Sequence, residues 1–171
     1  MSMGTLAASH RAVAVLSAAL LCSAAHAQPA TFPLRSITPD AALRAARAAL
    51  ASCARSGYQV AVAVTDRAGS PLVMLRDRLA GPHTPATATG KAYTALTFKV
   101  DTLSFARLTQ AGQAMSGVRE LPGVVAIGGG LMIESAGSLV GAIGVSGAPG
   151  GEADDACARA GVAAIKDDLD F

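Results

Sequence analysis

Residues 58–66, YQVAVAVTD, place Val and Ala at alternate positions. Successive side chains of a strand point to opposite faces, so this run has one branched face and one of methyl groups, and it reads as a strand packed on both sides. A turn, RAGS at 67–70, leads into a returning strand, PLVMLRDR at 71–78, and the two form a hairpin. Two further apolar runs, VVAIGGGLMIE at 124–134 and SLVGAIGVS at 138–146, are joined by Ser135-Ala136-Gly137 and form a second. Two hairpins require an antiparallel sheet.

Helical patterns surround them. Thr38 can accept the free N–H groups of a helix start, Pro39 suits the first position, and Asp40 complements the dipole. That helix ends at Gly57, with Leu43, Ala46, Leu50 and Cys53 as its apolar stripe. A second runs over 84–100 with Ala88, Ala92, Ala95 and Leu96 on one side, and a short third follows Asp101 to Ser104. A last helix follows Gly150-Gly151 with Ala153, Cys157, Ala160 and Ala164 on its apolar face. The order helix, hairpin, two helices, hairpin, helix predicts an α+β domain whose sheet is covered by helices.

The first 27 residues read as an export signal. His10-Arg11 precedes an apolar run at 12–24 and an Ala25-His26-Ala27 cleavage pattern. The run, about 13 residues, is too short to span a bilayer of roughly 30 Å as a helix. The expected organisation is a cleaved signal (1–27), a flexible arm (28–37) and one domain (38–171), periplasmic or secreted, with no membrane contact after cleavage. Losing Arg11 from the 14 basic residues leaves 13 against 12 acidic ones, so there is no basic field for nucleic acid. His83 becomes the only histidine, and Cys53 and Cys157 the only cysteines, an even pair for an oxidising compartment. No Cys/His cluster points to structural zinc.

Nucleotide motifs fail. Gly128-Gly129-Gly130 is followed by the strand-like LMIES where a dinucleotide fingerprint needs a helix, and Gly90-Lys91 lacks the rest of a P-loop. No nucleophile elbow accompanies His83. The glycines at 128–130, and Gly141, Gly144 and Gly147 in the partner run, mark close approach. What approaches is either a helix packed on the sheet or a ligand in a smooth trough.

The stretches PHTPATATGKAYTAL, LPGVVAIGGGLMIE and GSLVGAIGVSGAPGGEADDACARAG resemble the GlcG/HbpS family, which includes the C-terminal haem-binding domain of PduO-type proteins. The resemblance covers residues 40–165. It implies a profilin-like, five-stranded antiparallel sheet with helices on both faces, assembly into homo-oligomers, and haem as cofactor. In that frame His83, stiffened by Pro82 and Pro85, is a haem axial ligand, Lys91 pairs with a propionate, and Tyr93 stacks or hydrogen-bonds. Gly128, Gly129 and Gly130 floor the haem trough. The profilin-like arrangement also sets the terminal helices side by side, which would let Cys53 and Cys157 form a disulfide. The function expected is an exported haem-binding protein with slow haem-degrading or iron-sequestering activity. Two alternatives stay open: a non-haem module for a small organic acid or a partner oxidoreductase, and a structural oligomer subunit.

Overall fold

The computed structural model describes residues 29–169. The expected signal segment, 1–27, lies outside them. Eight elements follow in order: α1 (Pro39–Arg55), β1 (Ala61–Asp66), β2 (Pro71–Arg76), α2 (Thr84–Phe98), α3 (Thr102–Leu108), β3 (Gly130–Ser135), β4 (Ser138–Ser146) and α4 (Gly151–Ala163). The strands form one antiparallel sheet in the order β2-β1-β4-β3, so each hairpin supplies an edge and a central strand. No described helix is long and apolar enough to cross a membrane.

The Val/Ala alternation of β1 decides which layer lies where. Val60, Val62 and Val64, with Ile143 and Val145 of β4 and Ile133 of β3, join α1 and α4 in the main core. Ala61 and Ala63 face the other way and meet Ala88 of α2. On that side α2 presses almost onto the sheet backbone. A Cβ at Gly144 would lie 2.0 Å from the Ala88 carbonyl oxygen, a distance no side chain tolerates. The β4 glycine is therefore filled by a helix, and close helix packing is the correct reading of the small residues there.

The sheet has four strands among the described residues, where five were expected. The apolar run at 124–129 does not extend β3, because Val125 donates its N–H to Thr94 Oγ1 of α2 at 2.8 Å. Gly129 then turns with φ +113°, leaving β3 to begin at Gly130. Ahead of α1, Ile37 is buried and donates its N–H to Val140 O at 2.9 Å, beyond the point where β1 ends.

α1 and α4 pack against each other through alanines. Ala42, Ala45, Ala46 and Ala49 are fully buried, while Leu43 and Leu50 of the predicted stripe are only partly covered. Small side chains bring the axes close enough for the Cys53–Cys157 disulfide, with Cα atoms 5.5 Å apart and a sequence separation of 104. A loop of that length gives about 4–5 kcal/mol in the chain-entropy model. Replacing both cysteines with Ala should remove most of that, read as a lower unfolding free energy and a lower urea midpoint than the oxidised protein. An unchanged midpoint would show that the bridge adds nothing to the packed alanines.

Candidate functional site

The residues singled out in the sequence gather along α2, on two of its faces. His83 occupies the N-cap position, but its ring makes no capping bond. Its carbonyl accepts from the N–H and the hydroxyl of Thr87, both at 3.1 Å. The imidazole is exposed, rests on Gly81, and makes no hydrogen bond among the described residues. His83, Thr84, Thr87 and Lys91 recur at helical spacing and line one recess of about 460 Å³ with Ile127, Ser146 and the start of α4. Pro85, Ala86, Thr89, Gly90 and Tyr93 line a different recess of about 670 Å³ with Met74 and Pro122. The structure thus brings His83 and Lys91 together and sets Tyr93 apart from both.

Lys91 lies at the floor of the first recess and is 1 % exposed. Its Nζ donates to Asp154 Oδ2 at 2.7 Å and to the Val145 carbonyl at 2.9 Å. The second Asp154 oxygen accepts from the Ala148 N–H at 3.0 Å. Burial lowers the Lys91 pKa from its ordinary 10.5, opposed by the hydrogen bond and charge of Asp154. Burial likewise raises Asp154 from 3.8, opposed by Lys91 and by the N–H groups of Ala148 and Gly147. The pair ties α2 to α4 across the end of β4. The acids in the first turn of α4, Glu152 and Asp154, stand where a carboxylate complements the helix dipole. Asp154 is also buried and turns inward the helix face next to the predicted one. No local pattern announces this partner, 63 residues from Lys91.

Gly128, Gly129 and Gly130 do not floor a trough; all three are buried. An added Cβ would lie 2.7 Å from the Gly151 carbonyl oxygen at Gly128, 2.6 Å from Asp154 Cβ at Gly129, and 2.3 Å from the Lys91 carbonyl oxygen at Gly130. Their role is to let this segment pass between α2 and α4.

With this geometry in view, the chain can be placed among known proteins. Residues 37–163 match the family model described as haem degrading protein HbpS-like. The chain belongs to that family. A double mutant of HbpS from Streptomyces reticuli is 38% identical, with a TM-score of 0.75 over 82% of this chain and 94% of that one. ORFY of Klebsiella pneumoniae is 25% identical, with a TM-score of 0.78 over 82% of this chain and 97% of that one. PduOC, solved as a complex with haem, is 29% identical, with a TM-score of 0.72 over 76% of this chain and 95% of that one. No curated protein sequence matches.

Haem is the group this family implies. The His83 imidazole, exposed and unbonded among the described residues, has the donor chemistry an iron ligand needs. Lys91 is not an independent counter-ion for a propionate, because Asp154 already matches its charge. Tyr93 is 38 % exposed on the opposite, mainly apolar face.

Removing one partner of a buried pair strands the other, at about 3–5 kcal/mol. Lys91→Met should lose that much at neutral pH, and Lys91→Met with Asp154→Leu should recover most of it. Without Lys91, burial holds the Asp154 pKa up with less to oppose it. A carboxyl raised in the folded state favours folding below its unfolded value of 3.8, and that advantage is lost as pH rises through the folded value. The deficit of Lys91→Met should therefore shrink toward acid. Urea unfolding across pH 4 to 8 reads it, and a deficit independent of pH would contradict an ionised Asp154.

Proposed function

We propose that this domain is an exported haem-binding protein in which His83 provides the iron ligand at the rim of the recess on its face of α2. The observation that carries the reading is the free His83 imidazole in a domain of the HbpS-like family. Pro82 and Pro85 restrict the backbone on either side of it, so the ring is presented at little further entropic cost. Ile127, about half exposed beside the same recess, offers apolar contact to a porphyrin edge. Bound haem would supply redox chemistry at the iron, and slow haem degradation belongs to this reading. The chain itself contributes the ligand, the orientation set by the Pro-flanked helix start, and the polar floor beneath.

Adding haemin to the protein should produce a Soret band. His83→Ala should shift its maximum or weaken binding at least tenfold, about 1.4 kcal/mol. A spectrum and affinity unchanged by His83→Ala would remove the imidazole from the site. A second reading puts haem in the larger recess, favoured by its apolar wall of Met74, Pro85, Ala86 and Pro122 beside the Tyr93 ring. In that case Tyr93→Phe, not His83→Ala, alters the band.

Export and assembly complete the proposal. Leu79, Leu108, Leu121 and Ile127 are each more than half exposed, surface that a closed homo-oligomer would cover. Native mass spectrometry of protein recovered from the periplasm should give an oligomer of subunits beginning at Gln28. A monomer, or subunits that keep residues 1–27, would refute the corresponding half.

A further inference from the structure

We infer that the recess between His83 and the start of α4 binds a carboxylate group, held by the Ser146 hydroxyl and the first-turn N–H groups of α4. Ser146 is 4 % exposed and lines the recess. It ends β4 two residues beyond Gly144, so its side chain falls on the α2 side of the sheet. Its hydroxyl makes no hydrogen bond among the described residues. The oxygen is not sealed away from the recess that Ser146 lines, so a ligand there can take its hydrogen bond.

A second set of donors converges on the same space. α4 begins at Gly151 behind Gly150, and no side chain caps it. The N–H groups of Gly151, Glu152 and Ala153 have no partner within the helix, and the positive end of a 13-residue helix dipole lies there. Gly150 and Gly151 both line the recess; the side-chain position of Gly151 is taken by the Gly128 backbone at 2.7 Å, whereas at Gly150 a ligand meets backbone without an intervening side chain. Lys91, on the floor, spends two of its three protons on Asp154 and Val145, leaving one donor.

The charges favour a singly charged oxyanion. Lys91 and Asp154 cancel each other, and Glu152 is exposed close to the same helix end. A carboxylate gains the N–H and hydroxyl donors without the repulsion that a dianion would meet from Glu152. The carboxylate has two possible sources, a haem propionate or a free small organic acid, and only the first rests on the haem reading.

The test has two arms and one variant. In ¹⁵N-labelled protein at constant ionic strength, acetate should shift the amides of residues 151–153 saturably if a free acid is the ligand. If a propionate is the ligand, haemin should bind at least tenfold tighter than haemin dimethyl ester, with acetate inert. In whichever arm shows binding, Ser146→Ala should weaken it about tenfold with an unchanged melting temperature, since Ser146 bonds to nothing it would disrupt. No amide shifts together with equal affinity for haemin and its ester would overturn the assignment. So would a Ser146→Ala protein that binds as tightly as the original. A missing Soret band defeats only the haem reading, because the acetate arm involves no haem.

Discussion

The near-contact of α2 with the backbone of β4 is the constraint on which the rest of the molecule depends. It requires Gly144 in the strand and Ala61, Ala63 and Ala88 around it. Because the helix sits so low, Lys91 on its inner side is buried, and its charge has to be met from α4. Because α2 is pinned, its two lateral faces become walls of separate recesses. The opposite face of the sheet has branched residues and ordinary core packing. The two sides thus divide the work, one holding the main core and the other shaping the two recesses along α2.

The Lys91–Asp154 pair is more than a stabilising contact. Burying two charges carries a desolvation penalty that their attraction only partly returns, so a packed apolar pair could serve stability as well. What the ion pair does add is placement. Asp154 also accepts from the Ala148 N–H, which fixes the loop between β4 and α4. That loop carries Gly150 and Gly151 to the recess edge. One carboxylate therefore sets where α4 begins and how its first turn faces the space beside His83.

Much of the fold was legible because it is written in local periodicity. The alternation over 58–66 fixes a two-sided strand, and Thr38-Pro39 and Gly57 bracket α1. The Cys53–Cys157 pairing followed from two helix stripes and a family arrangement. What stayed hidden is non-local. Residues 124–127 carry a strand's composition, yet the hydroxyl of Thr94, 31 residues earlier, takes the Val125 N–H. Glycine runs announce close approach without saying by what, so Gly128 to Gly130 were read as a ligand floor when α2 and α4 already occupy the space. His83, Lys91 and Tyr93 read as one cluster in sequence, but the two residues from Lys91 to Tyr93 turn the helix by about 200°, and the two side chains line different recesses.

The disulfide also bears on the order in which the domain can acquire structure. Its cysteines stand 104 residues apart, and the central strands it helps to enclose pair residues 61–66 with residues 141–146. Neither the bond nor the central pairing exists until most of the chain has been made, so an emerging N-terminal half can pair β1 with β2 but leaves its other edge without a partner. Folding is therefore dominated by long-range closure and proceeds slowly compared with a helical bundle of this size. During that interval the Val face of β1 is open to aggregation. Once formed, the bridge makes the late-arriving contacts hard to undo, so a chain that is slow to assemble becomes slow to come apart.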